Sequence, residues 1–455
     1  MAAGEYPHWR NCTDNQRPGC MLGFLDKTKL YGTHILRDAS DAYAWKYDLT
    51  TGSMDTVLIS TLVSNAIDLP IYFPDDAHYG LLTAVDALDG VHIIGNSQLS
   101  NSPPGRPSSP TTTMHHIVCT NVADFTNPAS WVQGDEPMAG TDAQSGRSYT
   151  YHWIDRFTNG DLAWVATQVD TSSTNVGRDN VMWATNGGHT FTQSLGAITG
   201  VAATEGVLVE MVDDAIVGGA NPDVWYTAGY IVQPGAGASG SDRIHMTGLA
   251  RYDWTDPTTE QNAIYMYSDT NAFGSWFAGD GTPLTVPITA ANWTAALIPS
   301  LSGTGIQGWN FMQITGTGAA TMCYTNGATA GVGGTLTEYT ISPAGTWTNT
   351  AMPAIAGDMV RKWRLIMNDR SAVVWYSSTA SNRVALTRGN LTQTVRLGPS
   401  VLFAARPGSQ YPATHAIGPD PILYREQGYL ACNIGEGNTP RIYFFPDRNG
   451  YRIGS

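Results

Sequence analysis

Short runs of strand character recur along the whole chain, and no long stretch keeps the helical apolar period. "VHIIG" (91–95), "DLAWVATQV" (161–169), "NVMWAT" (180–185), "AVVWYSS" (372–378) and "RIYFF" (441–445) carry the β-branched and aromatic side chains that suit a pleated surface. Turn signals separate them: Thr-Asn-Gly at 158–160, Asn-Gly-Gly at 186–188 and Asp-Gly at 280–281. Many short strands with frequent tight turns indicate a sandwich, a barrel or a propeller. Composition points the same way. Charged residues make up only 14 % of the 455, and polarity comes from Gly, Thr, Ser and Asn beside 14 Trp and 21 Tyr.

A loose repeat narrows the choice. "LTAVDALDGVHIIG" (82–95), "YHWIDRFTNGDLAWVA" (151–166) and "WRLIMNDRSAVVWY" (363–376) each read as strand, turn, strand, the middle hairpin of a propeller blade. Their intervals of roughly 60 to 70 residues exceed the ~40–50 of regular propeller repeats, so long insertions between blades are expected. The proline-rich "NSPPGRPSSP" (101–110) lies between two strand-like runs and reads as a surface loop. No composition shift marks a boundary. The chain reads as one all-β domain over 1–455, with 1–30 as an N-terminal extension or attachment segment.

The net charge of −14 has no basic cluster to offset it. Nucleic acid is therefore not an expected partner, since binding it relies on Lys and Arg neutralising phosphates. The first residues, "MAAGEYPHWRNCTDNQRPGC", lack a basic start followed by an apolar core, so no secretory signal is read there. No run approaches the ~20 apolar residues of a membrane span, and membrane insertion is not expected. Cys12, Cys20, Cys119, Cys323 and Cys432 are scattered and odd in number. They read as a reduced, incidental set, with local pairing of Cys12 and Cys20 as the alternative.

Several motifs have plain readings. "GAGASG" (235–240) fits Gly-x-Gly-x-x-Gly, but a phosphate cradle needs a helix behind the glycines and "SDRIHMTGLARYDW" supplies none. It reads as a flexible loop. His115 and His116 in "TMHHIVCT" resemble a metal pair, but neighbours on a strand point to opposite faces. Asp75, Asp76 and His78 in "YFPDDAHYG" are suitable cation ligands, yet no distant partner can be named, and a hydrogen-bonded turn is preferred. No metal or cofactor is expected. Trp309 in "GIQGWNFMQ" is a candidate platform for stacking a sugar ring, against ordinary core packing.

"ATNGGHTF" (184–191) resembles a degenerate Asp box, the structural hairpin of sialidase-like propellers, with Asn186 in place of the Asp. "YSDTNAFGSWF" (267–277) looks like a more decayed copy. With "DDAHYGLLTAVDALDGVHIIGN" (75–96), "TYHWIDRFTNGDLAW" (150–164) and "YMYSDTNAFGSWFAGDGTPLTVPIT" (265–289), these segments resemble the BNR-repeat propeller family that includes ulvan lyases and many bacteriophage tail-associated proteins. The resemblance covers the middle half of the chain. It implies a single β-propeller of about seven four-stranded blades, with ligand bound in a central funnel.

Family lyases cleave acidic polysaccharides by β-elimination. A cation neutralises the uronate carboxylate while His and Tyr move protons. On this sequence the resemblance matches His78 to the first His and Tyr151 to the Tyr. Gln98, or a neighbour, falls where the second His belongs, and Thr167 and Gln168 fall where the Arg belongs. Gln and Thr hydrogen-bond a sugar but cannot neutralise a carboxylate or exchange a proton at neutral pH. Arg178 is the nearest cation that could substitute. The expectation is a non-catalytic bacteriophage tail or tail-fibre propeller, found in the virion beside other tail proteins and contacting a host cell-surface glycan. Asp75, Asp76, His78, Gln98, Tyr151 and Trp309 are its candidate glycan-binding residues. The alternative is a polysaccharide lyase.

Overall fold

The computed structural model describes residues 5–6, 20–36, 41–62, 81–98, 112–134, 147–170, 178–195, 197–199, 205–210, 224–252, 260–269, 274–289, 291–301, 312–315, 317–326, 335–351, 359–366, 371–378, 383–388, 391–395, 416–419, 429–434 and 441–446. Their strands form seven separate antiparallel sheets that follow one another in chain order, the blades of a β-propeller. Blade I comprises Cys20–Leu22, Lys29–Leu36, Asp41–Asp48 and Met54–Leu58. Blade II comprises Leu81–Val85, Val91–Gln98, Thr112–Cys119 and Trp131–Gln133. Blade III starts with Arg147–Arg156, Leu162–Asp170 and Arg178–Thr185, and blade IV with Val224–Gln233, Arg243–Arg251 and Glu260–Asp269. Blades V and VI span Gln313–Ala351 and Met359–Val395.

Blade VII joins the two ends of the chain. Glu5–Tyr6 pairs with Arg441–Pro446, which continues through Tyr429–Ile434 to Ala416–Pro419. The first 30 residues, expected as an extension, thus supply one strand of blade VII and the first strand of blade I. The strand–turn–strand segments are also placed differently from expectation. Those at 82–95, 151–166 and 363–376 are the first hairpin of blades II, III and VI, not the middle one. The expected insertions have strands of their own in blade III, where Phe191–Ser194, Ala197–Thr199 and Glu205–Val209 extend the sheet.

The second strand of blade III shows why the sequence packs this way. Leu162, Ala163, Trp164, Val165 and Ala166 are all fully buried. Strand side chains alternate between faces, so Leu162, Trp164 and Ala166 join a core shared with blades I and II. Ala163 and Val165 join a second core with Trp225, Val232 and Met246 of blade IV. A strand covered on both faces reads as a continuous apolar run, which is the pattern of "LAWVA". A third core lies between blades IV and V, around Leu249, Tyr265, Met322 and Tyr324. Cys119 is buried in the first core and free, and burial pushes its thiol up to about 11, so it is an inert core side chain.

Polar side chains at the first turns of blades II and IV tie them to the preceding blade. Asp89 of blade II accepts the backbone N–H groups of Phe24, Leu25 and Asp26 in blade I, at 2.6, 2.8 and 2.9 Å. Asp242 of blade IV accepts from the N–H and hydroxyl of Thr158 in blade III, at 2.6 and 2.7 Å. Between the first strands, Arg156 Nη1 donates to the carbonyls of Leu22 and Val85, and Asp155 Oδ2 accepts from Val232 N. The first strands of four successive blades are thereby linked. Replacing Asp89 with Ala leaves three turn donors without their acceptor. It should cost about 2 kcal/mol, read as a shift in a denaturant-unfolding midpoint.

Two turns refine the sequence reading. The glycine-rich 235–240 segment joins the first two strands of blade IV and is pinned, not flexible. Gly235 N donates to Asp242 Oδ1 at 3.0 Å and Ala238 N to Asp269 Oδ2 at 2.9 Å, and a strand follows it. The Asp-box-like turn after Thr185 joins the third and fourth strands of blade III. Its capping carboxylate comes from Asp161, which accepts from Gly187 N at 2.6 Å and from the Thr185 hydroxyl at 3.1 Å. Asn186 does not play that part.

Candidate functional site

Of the candidate glycan-binding residues, Asp75, Asp76, His78 and Trp309 lie outside the described residues. Gln98 and Tyr151 fall on strands. Gln98 closes the second strand of blade II opposite Thr112. Tyr151 sits at a register shift in the first strand of blade III, between Thr150 and Trp153. Thr167 pairs with Thr150 on one side and Asn180 on the other. Arg178 stands opposite Val169. The strand that carries Tyr151 packs against the strand that carries Gln98. Gln98, Tyr151, Thr167 and Arg178 thus belong to one end of two adjacent blades, the end away from the Asp89 and Asp242 turns.

A second group of polar side chains lines a cleft of about 360 Å³ between the turns of blades IV and V, at the other end of the strands. His245 is central to it. Its Nδ1 is 2.6 Å from the Tyr265 hydroxyl and its Nε2 is 2.9 Å from Gln233 Oε1. Gln233 accepts only at that oxygen, so His245 carries its proton on Nε2 and Tyr265 donates to Nδ1. Burial, with Arg243 nearby, pushes the imidazole pKa down to about 3. Burial likewise raises the Tyr265 phenol well above its ordinary value.

Arg243 Nε donates to Asp269 Oδ1 at 2.8 Å, and its guanidinium lies 4.2 Å from the Tyr267 ring centre. Phe277 stacks against Tyr267 at 5.4 Å. With two partners stacked on it, Tyr267 offers no clear platform for a sugar ring. His245 is held neutral with both nitrogens engaged, so it is not a base for proton abstraction. The cleft offers hydrogen bonds, and its groups are otherwise committed to structure.

A third cluster joins blades II and III. Asp86, His92 and His189 place one ligand atom each within 4.8 Å of the others, close enough that the three could hold a metal ion. Sequence reasoning did not find it. It also missed His245 and Arg243, which stand in a segment read only for its lack of a helix.

No protein-family model matches the chain, and no curated protein matches it in sequence. Solved structures do share its fold. The polysaccharide lyase Uly1 is 12 % identical with a TM-score of 0.57, covering 98 % of this chain and 93 % of that one. An ulvan lyase of family PL25 bound to -[GlcA(1-4)Rha3S]- is 13 % identical with a TM-score of 0.55, covering 87 % of this chain and 86 % of that one. The likeness is one of fold, and it extends over nearly the whole propeller.

Proposed function

We propose that this chain is a glycan-binding propeller of a bacteriophage tail or tail fibre, one that contacts the host surface without cutting the glycan. The observation that carries the reading is the pair Gln98 and Thr167. They stand where the lyase resemblance puts the second His and the carboxylate-neutralising Arg. β-Elimination needs both a proton acceptor and a fixed cation, and an amide and a hydroxyl supply neither. They do supply the donors and acceptors that hold sugar hydroxyls. The BNR-repeat part of the reading draws support from the Asp-box-like segments at 184–191 and 267–277, which join the third and fourth strands of blades III and IV.

Incubation with uronate-containing polysaccharides tests the catalytic half: no ultraviolet-absorbing unsaturated ends are expected. Mass spectrometry of purified virions tests the other half, with the chain expected among the tail proteins. The second reading, a polysaccharide lyase, draws support from the fold shared with two lyases and from Tyr151 in the lyase position. It requires Arg178, two residues from the register of Thr167, to take over the carboxylate. Product that disappears in both His78→Ala and Arg178→Ala would establish it.

A further inference from the structure

We propose that Asp86, His92 and His189 form a zinc-class metal site that clamps blade II to blade III. Asp86 opens the first turn of blade II, His92 lies on the next strand, and His189 lies in the Asp-box-like turn of blade III. Asp86 and His92 side chains are fully buried, whereas His189 is 31 % exposed. His92 Nε2 is 2.8 Å from Asp86 Oδ2, and His189 Nδ1 contacts the same oxygen.

The surroundings are those of a supported ligand set. Asp86 Oδ1 accepts the N–H groups of Leu88 and Gly90, both at 2.8 Å, which fixes the carboxylate and leaves Oδ2 for an ion. A metal on His92 Nε2 requires the ring proton on Nδ1. On that side His116 Nε2 stands 2.8 Å away to accept it. Such an outer partner orients a ligating imidazole and raises its basicity. His116 lies edge to edge with His92 and nearly coplanar with it, ring centres 5.0 Å apart, and Phe191 packs edge-on against both. Gly90 is required beside the cluster, because a Cβ there would overlap the His189 ring and Asp86 Oδ2.

Two imidazoles and one carboxylate suit a first-row ion such as zinc over calcium or magnesium, which prefer oxygen. Zinc bonds of about 2.0–2.1 Å set tetrahedral ligand atoms ~3.3 Å apart, so the present contacts need open by less than ~1 Å. His189, on an exposed turn, can supply that movement. A fourth position would take a water molecule.

Chelator-treated full-length protein titrated with Co²⁺ and Zn²⁺ tests the site. Wild type should bind one equivalent, give the absorption bands of low-coordinate Co²⁺, and melt at higher temperature with metal. His189→Ala, a change at a part-exposed turn, should weaken binding at least ~100-fold and remove the melting shift. Wild type that takes up no metal, or uptake unchanged in His189→Ala, would overturn the proposal. In either case the cluster is a hydrogen-bonded staple only.

Discussion

Replacing Arg156 with Met is expected to destabilise the protein by at least about 3 kcal/mol, seen as a lower midpoint in equilibrium denaturation. The side chain is only 1 % exposed, and Nη1 donates to Leu22 O at 2.7 Å and to Val85 O at 3.1 Å. Each charge-assisted bond contributes roughly 1.5–3 kcal/mol. Their loss also leaves two inner-strand carbonyls under-satisfied where three blades meet. The guanidinium lies 5.2 Å from the Phe24 ring centre, a further contact that Met does not replace. Arg156→Lys should recover only part of the loss, because a compact ammonium on a flexible stem does not reproduce the planar fork. A cost below about 1 kcal/mol for Arg156→Met would mean that water replaces the guanidinium at the centre of the fold.

Acidification should weaken the fold through His245. Its pKa in the folded protein is about 3, against an ordinary value of 6.5. The unfolded chain therefore binds a proton that the folded one refuses, in the window between those values. The stability this neutral imidazole supports is fully present above about pH 6.5 and is lost as pH falls toward about 3, at about 1.4 kcal/mol per unit. The groups around it are Arg243, Asp269, Tyr265 and Gln233, and Arg243 reinforces the depression while Asp269 opposes it. Denaturant melts from pH 7 to pH 4 should show this slope, and His245→Gln should flatten it. An unchanged slope in the variant would assign the acid sensitivity to other groups.

Much of the fold was legible because a strand covered on both faces leaves a local signature. "DLAWVATQV" and "NVMWAT" are apolar runs bounded by turn residues, and both are blade III strands. Which hairpin of a blade a segment forms has no local signature. The segments at 82–95, 151–166 and 363–376 therefore read equally well as middle hairpins, and only the sheet order makes them first ones. The same distinction governs the polar sites. Gln98, Tyr151 and Thr167 are placed by the segments that carry the family resemblance, and they lie on neighbouring strands of blades II and III. Asp86 and His189 lie 103 residues apart, and only the packing of two blades unites them. "TMHHIVCT" did announce a histidine pair. The true neighbour of His116 is His92, set diagonally across the strand pair in which Ile94 faces His116. Asp161 capping the turn after Thr185 is likewise a strand-to-strand relation that no spacing rule predicts.

Binding without cleavage is tested most directly by electrophoresis of the native protein through gels cast with a panel of surface polysaccharides, with polymer length measured before and after incubation. Retardation by at least one glycan is expected, weakened in Tyr151→Ala, with polymer length unchanged. Retardation by none of them would contradict glycan binding, and shortened chains with unsaturated ends would identify an enzyme.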